Sequence, residues 1–343
     1  MISFPTNTPF IIAEMSGNHN QSLERAKEII KEASNCGVNA IKFQTYTADT
    51  LTLNQRGGMF EIKDENSLWK GKNLYELYKM AYTPWEWHKE LFDFANKLGL
   101  IAFSSPFDET SVDFLESLNV PLYKIASFEN NHHPLLAKVA KTGKPVIMST
   151  GISNIFDIQE SVNVLRENGC KNITILKCTS TYPASPENTN LNTIPVFKKL
   201  FPDCNIGLSD HTMGIGVSIA SVGLGATVIE KHFTIRRSDG GVDSAFSMEP
   251  HEMKLLVDEA KKASLALGSI QLNVQDSEKN SLIFKRSIYV SHNINKGELF
   301  TEENIRVVRP GNGLHPRNYK LIIGKKAKKD LKSGTPFSQD YIE

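Results

Sequence analysis

Eight short apolar runs rich in β-branched residues recur along the chain, separated by longer amphipathic stretches. They predict strands at 10–14, 40–44, 100–104, 122–127, 145–149, 173–178, 205–209 and 227–232. Helical patterns lie between most of them, as at 23–35, 85–98, 111–117 and 155–168. This alternation over about 250 residues predicts an α/β fold, a (β/α)₈ TIM barrel. The alternative is an open doubly wound sheet, which normally has a glycine-rich turn after its first strand, and the sequence has none there.

Each predicted strand begins with apolar residues and ends with polar ones. The polar ends include Glu14, Lys42, Gln44, Ser105, Ser127, Thr150, Thr179, Ser209-Asp210-His211 and Glu230-Lys231-His232. In a TIM barrel the carboxyl ends of the strands form the active-site face. Polar residues at the ends of so many separate strands therefore predict an enzyme site at that face.

The charge balance excludes some classes of partner. With 39 basic and 38 acidic residues the net charge is +1, which gives no general attraction to nucleic acid or to an anionic membrane. Cys36, Cys170, Cys178 and Cys204 form no C-x-x-C pair, so we expect reduced thiols. The sequence shows neither a signal peptide nor an apolar run of the roughly 20 residues that a membrane helix needs. These observations predict a cytoplasmic protein.

The pattern changes after Gly268. We predict a barrel domain over 1–270, a polar linker over 271–285 and a small β-rich domain over 286–343. The stretch 55–72 is weakly periodic, and we expect it to be an insertion over the barrel mouth, with a lid as one interpretation.

Two lysines lie among apolar residues of predicted strands, Lys42 in AIKFQT and Lys124 in LYKIAS. A buried lysine has to be paired or neutral. One interpretation is a structural ion pair with a carboxylate such as Glu14 or Glu230. The other is an anion site, since phosphate is bound by point charges together with hydroxyl and amide donors. Hydroxyls nearby in the predicted barrel are Ser105, Ser127, Ser180 and Ser209.

His211 and His232 follow consecutive predicted strands, so a closed barrel makes them neighbours. Either histidine alone is more often a hydrogen-bonded residue at a strand end. Two imidazoles together suit a catalytic divalent metal that keeps open positions for water and substrate. We therefore predict a metal site at this pair.

Six segments together resemble the sialic acid synthase family over the full length of the chain. They are AEMSGNHN (13–20), KFQ (42–44), YKIAS (123–127), CTSTYP (178–183), LSDHT (208–212) and EKHF (230–233). The tail, with RPGNG at 309–313, is similar to the antifreeze-like SAF domain of that family.

The resemblance implies an enzyme that condenses phosphoenolpyruvate with an N-acetylated sugar, releasing phosphate and forming a nonulosonic acid. It implies a divalent metal (Mn²⁺, Mg²⁺ or Co²⁺) and a domain-swapped homodimer. Carried over by motif, the residues that hold phosphoenolpyruvate are Lys42, Ser105, Lys124, Ser127, Ser180 and Ser209. His211 and His232 are the implied metal ligands. The implied sugar contacts are Gln44, Glu129, Tyr182 and Asp243, with Arg309 arriving from the partner subunit.

Three departures from the sialic acid pattern resemble the pseudaminic acid synthase branch: the segment 16–21, Phe128 and the segment 239–244. The implied sugar is 2,4-diacetamido-2,4,6-trideoxy-altrose, and flagellin glycosylation is the implied use of the product. An aromatic wall suits a sugar with fewer hydroxyls. Glu14, Glu230 and Asp243 are candidates for proton transfer, and the sequence does not choose between them.

Three other functions remain open at this point. Within the family, the alternative products are N-acetylneuraminic acid and legionaminic acid. A barrel aldolase with a Schiff-base lysine is a different enzyme class, and a non-catalytic carbohydrate-binding protein is a different function altogether.

Overall fold

The computed structural model describes residues 8–65 and 67–343 of the chain, so Met1 to Asn7 and Asn66 lie outside the described residues. In this part, eight parallel strands pair in chain order into a closed barrel, with β8 beside β1. They are β1 (Phe10–Glu14), β2 (Ala40–Thr45), β3 (Ile101–Pro106), β4 (Tyr123–Ile125), β5 (Val146–Ser149), β6 (Ile173–Cys178), β7 (Asn205–Asp210) and β8 (Val228–His232). The predicted TIM barrel is confirmed.

Alternation along the strands explains how the barrel separates its core from its site. The inner cluster contains the side chains of Phe10, Ile12, Ala40, Phe103, Leu122, Ile147, Leu176 and Val228. Side chains two residues further along a strand point to the same face. The next inward positions are therefore polar, as in Ile12 to Glu14 and Val228 to Glu230. The lower barrel is a packed apolar core, and its carboxyl end is a polar cup.

The helices surround the barrel and cover its outer apolar face. They are α1 (Leu23–Cys36), α2 (Ala48–Leu51), α3 (Leu74–Ala81), α4 (Trp85–Lys97), α5 (Glu109–Ser117), α6 (His133–Lys141), α7 (Ile155–Glu167), α8 (Thr193–Leu200), α9 (Gly216–Gly223) and α10 (Pro250–Leu267). The helix α1 shows how the sequence sets these limits. Its amino end is capped by the Ser22 hydroxyl, and its carboxyl end stops at Gly37, whose φ of 80° is left-handed.

The strand predicted at 122–127 is shorter in the structure. Its last residue is Ile125, and a 3₁₀ turn follows at Ser127–Glu129. The turn lets the Ser127 hydroxyl accept a hydrogen bond from the Gly151 amide at 3.0 Å. This hydrogen bond joins residues 24 positions apart in the sequence and is made where further strand pairing was predicted.

The chain divides into two compact units, the first ending at Gly268 and the second covering Ser269–Glu343. The second unit contains β9 (Ser287–Val290) and β10 (Ile305–Val308) as an antiparallel pair, with α11 (Tyr319–Ile322). Its own core includes Ile288, Phe300 and Phe337. The segment predicted as a linker contains a 3₁₀ helix at Asp276–Phe284.

Among the described residues, none of the helices combines the length and the apolar character that crossing a bilayer requires. The four cysteines are free thiols, and three of them are buried.

Candidate active site

A cavity of about 660 Å³ opens at the carboxyl end of the barrel. Its wall includes most of the residues that the sequence predicted for the site: Glu14, Lys42, Gln44, Lys124, Ser127, Glu129, Ser180, Tyr182, Ser209, His211, Glu230, His232 and Asp243. These side chains come from β1, β2, β4, β7 and β8 and from the loops after β4, β6, β7 and β8. The fold therefore brings residues that are more than 200 positions apart into one site.

The floor of the cavity is a network of two buried lysines and two buried carboxylates. Lys42 Nζ lies 2.5 Å from Glu14 Oε2 and 3.9 Å from Glu230 Oε1. Lys124 Nζ lies 3.2 Å from Glu230 Oε1, and the Ser209 hydroxyl donates to the same oxygen at 3.4 Å. Both lysines therefore form buried ion pairs with carboxylates, and both also line the cavity.

Burial and charge act in opposite directions on these groups. Burial raises the pKa of Glu14 to about 7, although the charge of Lys42 opposes the shift. Burial would also raise the pKa of Glu230, but the charges of Lys124 and Lys42 outweigh it and hold that pKa below its usual range. For Lys42, burial disfavours the charged form, but Glu14 and Glu230 overcome this and raise its pKa. Lys42 therefore stays protonated and positively charged.

Beside the lysines lies a small cradle of hydroxyls around Gly151. The Gly151 amide donates to Ser127 Oγ at 3.0 Å. A Cβ on Gly151 would lie 1.9 Å from Ser180 Oγ and 2.8 Å from Ser127 Oγ, so glycine keeps the space between the two serines open. Hydroxyls around an open space next to two cations suit a phosphate or carboxylate group.

His211 and His232 also line the cavity and lie together, with ring centroids 5.3 Å apart. His211 Nδ1 donates to the Thr179 carbonyl oxygen at 2.9 Å, which orients the ring. Burial alone would lower the pKa of His211, but Cys178 and the Thr179 carbonyl outweigh it and raise that pKa. Burial and the neighbouring His211 hold the pKa of His232 well below its usual range, so its imidazole is neutral. The buried Nδ1 of His232 has no hydrogen-bond partner, and Asp243 Oδ2 is 3.8 Å away.

These features fit a divalent metal. A ligating imidazole has to be neutral, and its second nitrogen usually donates to an oxygen acceptor, as His211 does to Thr179. In the part of the chain that the structure describes, no group of three or more His, Cys, Asp or Glu side chains is arranged as a metal cage. Two imidazoles with open remaining positions match a catalytic ion better than a structural one.

Next to the histidines, the cavity becomes aromatic. The Tyr182 ring lies 4.5 Å from that of His211 and 5.3 Å from that of Phe246. Gln44 Nε2 donates to Glu14 Oε1 at 3.0 Å, which places its amide between the carboxylate floor and the mouth. Glu129 also lines the cavity, and burial raises its pKa to about 7.

Two predicted site residues lie elsewhere. Ser105 is fully buried at the inward position two residues after Phe103, and its hydroxyl accepts a hydrogen bond from Lys42 Nζ at 3.4 Å, but it is not part of the cavity wall. Arg309 belongs to the second compact unit, and its predicted role at a partner's site stays a prediction.

Two polar strand-end residues also differ from expectation. Asp210 and Lys231 form a buried pair at 3.1 Å, and neither belongs to the wall of the cavity. Both stand one position out of phase with the inward residues Ser209 and Glu230, so their side chains point to the outer face of the barrel.

Sequence reasoning gave no individual role to several residues that line the cavity. Cys178 and Ser149 are polar strand-end residues at inward positions two residues after Leu176 and Ile147, so strict alternation could have assigned them to the site. Ser16 also lines the cavity, and its hydroxyl donates to Asp243. Trp69 comes from the insertion at 55–72, where no periodic signal exists.

Comparison with known proteins gives two family models along the chain. Residues 29–272 match the NeuB family and residues 285–343 match the SAF domain. The pseudaminic acid synthase of Campylobacter jejuni is 44% identical over 330 residues, covering 96% of this chain and 95% of that protein. The pseudaminic acid synthase of Helicobacter pylori is 45% identical over 337 residues, covering 98% of each.

A solved structure gives the same result for the fold. The N-acetylneuraminic acid synthetase of Leptospira borgpetersenii, in complex with citrate, superposes with a TM-score of 0.72 at 32% identity, covering 82% of this chain and 93% of that one. The resemblance seen in the sequence motifs is confirmed. A family model over most of the chain and relatives of this identity over nearly all of it agree, and the chain belongs to the NeuB family.

Proposed function

We propose that the protein condenses phosphoenolpyruvate with 2,4-diacetamido-2,4,6-trideoxy-altrose and water, giving pseudaminic acid and phosphate. The observation that carries the proposal is one cavity in which two lysines and a hydroxyl cradle face two imidazoles. The identity of 44–45% to pseudaminic acid synthases over nearly the whole chain supports this sugar over those that lead to N-acetylneuraminic or legionaminic acid.

The cation-rich floor is the place for phosphoenolpyruvate. Lys42 and Lys124 are buried cations, and each is balanced by a carboxylate. Their charge, with the Ser127 and Ser180 hydroxyls, stabilises the phosphate and carboxylate of this trianion. Because Lys42 is held in its charged form, it suits anion binding better than the Schiff-base chemistry of an aldolase, which needs a neutral amine.

The reaction then proceeds between the two ends of the cavity. C3 of phosphoenolpyruvate forms a carbon–carbon bond with the aldehyde carbon of the open-chain sugar, and the aldehyde oxygen takes a proton. Water adds to C2 and loses a proton, and the C–O bond to phosphate breaks to leave a ketone at C2. Holding both substrates in one cavity contributes up to about 7–11 kcal/mol to lowering the barrier.

Three carboxyl groups are placed for the proton transfers. Glu14 and Glu230 lie at the floor beside the lysines, and Asp243 lies beside His232 and Ser16. The pKa of Glu14, about 7, allows it to exchange a proton near neutral pH. We therefore assign proton transfer to Glu14 first, with Glu230 remaining ionised to stabilise Lys124.

His211 and His232 would hold a divalent metal, with Mn²⁺, Mg²⁺ or Co²⁺ as the candidates. When bound, such an ion supplies Lewis-acid polarisation of a carbonyl oxygen. The chain's own contribution is to keep the His232 imidazole neutral and to orient His211 through the Thr179 carbonyl.

The remaining family properties are proposals of the same kind. We expect a domain-swapped homodimer in which Arg309 of one chain reaches the sugar bound by the other, and sedimentation equilibrium of the full chain checks the dimer. The cytoplasm stays the expected compartment, since the four cysteines are free thiols. Use of the product in flagellin glycosylation also stays a prediction.

The central experiment is phosphate release from phosphoenolpyruvate in ¹⁸O-labelled water, with the diacetamido sugar, N-acetylmannosamine and the legionaminic acid precursor compared. We expect release with the diacetamido sugar and label in the sugar-acid product. Label in phosphate alone would mean P–O cleavage and would contradict the mechanism. Sugar binding without any phosphate release would identify a non-catalytic carbohydrate-binding protein, and trapping by borohydride with a keto acid would identify an aldolase.

Removal of metal tests the two histidines. Treatment with EDTA should abolish phosphate release, and added Mn²⁺ should restore it, because two adjacent imidazoles leave open positions for a catalytic ion. Isothermal titration of Mn²⁺ into the metal-free protein should show binding that is lost in His211→Ala. Full activity of the metal-free protein would remove the site.

A further inference from the structure

Residues 61–65 and 67–73, here named the mouth loop, are closed at their base by backbone hydrogen bonds. Glu61 and Asn73 pair as an antiparallel bridge. The Ile62 amide donates to the Lys72 carbonyl at 3.0 Å, and the Gly71 amide donates to the Ile62 carbonyl at 2.7 Å. These bonds join the two ends of the loop at its base.

Trp69 connects the mouth loop to the loop that follows β8. Its indole Nε1 donates to the Val242 carbonyl at 2.9 Å, directly beside Asp243 in the loop after β8. Its ring centroid lies 5.9 Å from that of Tyr182, which in turn lies 4.5 Å from that of His211. The indole is therefore part of the cavity wall and is connected to the histidines through the Tyr182 ring.

Asp64 and Ser67 of the mouth loop also line the cavity, but Trp69 and its neighbours Ile62 and Leu68 contribute apolar surface that is incompletely covered. Ile62 and Leu68 line the cavity beside Trp69, and Leu68 is 48% exposed although it lies in a concave surface. The polar atom of Trp69 is already bonded to Val242, so its ring offers only apolar contact. An apolar surface left open inside a cavity is suited to an apolar part of a ligand.

We propose that Trp69 is a specificity-determining residue, whose ring packs on the methyl-bearing end of the sugar. The inference rests on the proposed function, since the diacetamido sugar has a methyl at C6 and two acetamido methyl groups. A 6-hydroxyl placed against the indole would lose its water and find no hydrogen-bond partner on the ring. The wall thus favours the 6-deoxy sugar and disfavours its 6-hydroxy analogue.

The alternative role for Trp69 is only to pin the mouth loop through its N–H group. Two substitutions separate the roles. Trp69→Ala removes the ring and the N–H group, whereas Trp69→Phe keeps an aromatic ring and removes the N–H group alone. Trp87→Phe is the matched control, because Trp87 packs against His19 with ring centroids 5.7 Å apart and is not part of the cavity wall among the described residues.

The measurement is kcat/KM by phosphate release, for the 6-deoxy diacetamido sugar and for its 6-hydroxy analogue, with melting temperatures to confirm folding. We expect Trp69→Ala to lower kcat/KM for the 6-deoxy sugar by about 10- to 100-fold, mainly through KM. The loss for the analogue should be smaller, and KM for phosphoenolpyruvate should not change. Trp69→Phe should keep most of the preference for the 6-deoxy sugar, and Trp87→Phe should behave as the unsubstituted protein.

Three results would overturn the specificity role of Trp69 and leave the proposed function intact. They are unchanged kinetics in Trp69→Ala, equal losses for both sugars, and a Trp69→Phe protein as impaired as Trp69→Ala. The last of these would leave only the pinning role. If the unsubstituted protein released no phosphate with the diacetamido sugar, the proposed function would fall and this inference with it. The two failures are thus distinguishable by the activity of the unsubstituted protein.

Discussion

At the scale of single residues, the site depends on which charged side chains stand side by side and on the space that a glycine leaves open. Glu14 stands opposite Lys42 in the pairing of β1 with β2, and opposite His232 in the pairing of β1 with β8. One carboxylate thereby stands between a buried lysine and one of the two histidines of the site. Gly151 contributes by what it lacks, since any Cβ there would occupy the space between Ser127 and Ser180.

Substitution Gly151→Ala tests that cradle. The added methyl group would lie 1.9 Å from Ser180 Oγ, so we expect KM for phosphoenolpyruvate to rise by about tenfold or more while the sugar KM changes little. Steady-state kinetics with each substrate varied in turn gives both constants. Gly216→Ala is the control, because a Cβ there meets no atom within 4 Å and should alter neither constant. An unchanged phosphoenolpyruvate KM in Gly151→Ala would place the phosphate elsewhere.

At the scale of elements, β7 and β8 carry the two histidines on one face and a buried ion pair on the other. Lys231 Nζ is 3.1 Å from Asp210 Oδ2 and donates to the Thr212 and Gly214 carbonyls at 2.7 and 3.0 Å. Asp210 also accepts from the Ser218 hydroxyl at 2.6 Å. The pair thus ties β8 to the loop after β7, and so fixes the strand ends that bear His211 and His232.

Replacing Lys231 by Met should lower the free energy of unfolding of the barrel by about 3–5 kcal/mol, because it leaves Asp210 buried and unpaired. Urea unfolding followed by tryptophan fluorescence measures this, since all three tryptophans lie in the first unit. Lys254→Met is the matched control, as Lys254 pairs with Asp258 on the surface of α10 and should cost less than about 1 kcal/mol. Equal effects of the two substitutions would show that the buried pair has no special role.

At the scale of the whole molecule, buried neutral histidines make the stability of the barrel sensitive to acid. His88 lies under the outer helices, with Nδ1 3.1 Å from the Pro84 carbonyl oxygen and Nε2 2.8 Å from the Thr45 hydroxyl. Burial lowers the pKa of His88 to about 4 from an ordinary value of 6.5. The unfolded chain therefore binds the proton first, and the stability that neutral His88 provides is present above pH 6.5 and lost as the pH falls towards 4.

We expect the difference in unfolding free energy between the unsubstituted protein and His88→Gln to shrink by about 2 kcal/mol from pH 7 to pH 5. Urea unfolding at a series of pH values gives that difference. The same substitution at His251, whose side chain is 74% exposed, should give a difference that does not vary with pH. A constant difference for His88→Gln as well would mean that this imidazole does not resist protonation in the folded state.

The sequence by itself determined the barrel and most of its site. Apolar alternation is local, so strands such as β1 and β6 have in the structure the limits that the sequence predicted. The polar residue two positions beyond an inward apolar residue had to face the cavity, as Glu14 does after Ile12. Closure of the barrel then made His211 and His232 neighbours.

Tertiary structure alone decided the rest. Asp210 and Lys231 looked like site residues, but the phase of their strands turns them outward, where each is the other's partner. Ser105 accepts a hydrogen bond from Lys42, and this contact depends on the register of β2 with β3. Trp69 reaches the cavity through a hydrogen bond to Val242, 173 residues away in sequence. Contacts of this kind arise only when distant segments meet, so no local pattern encodes them.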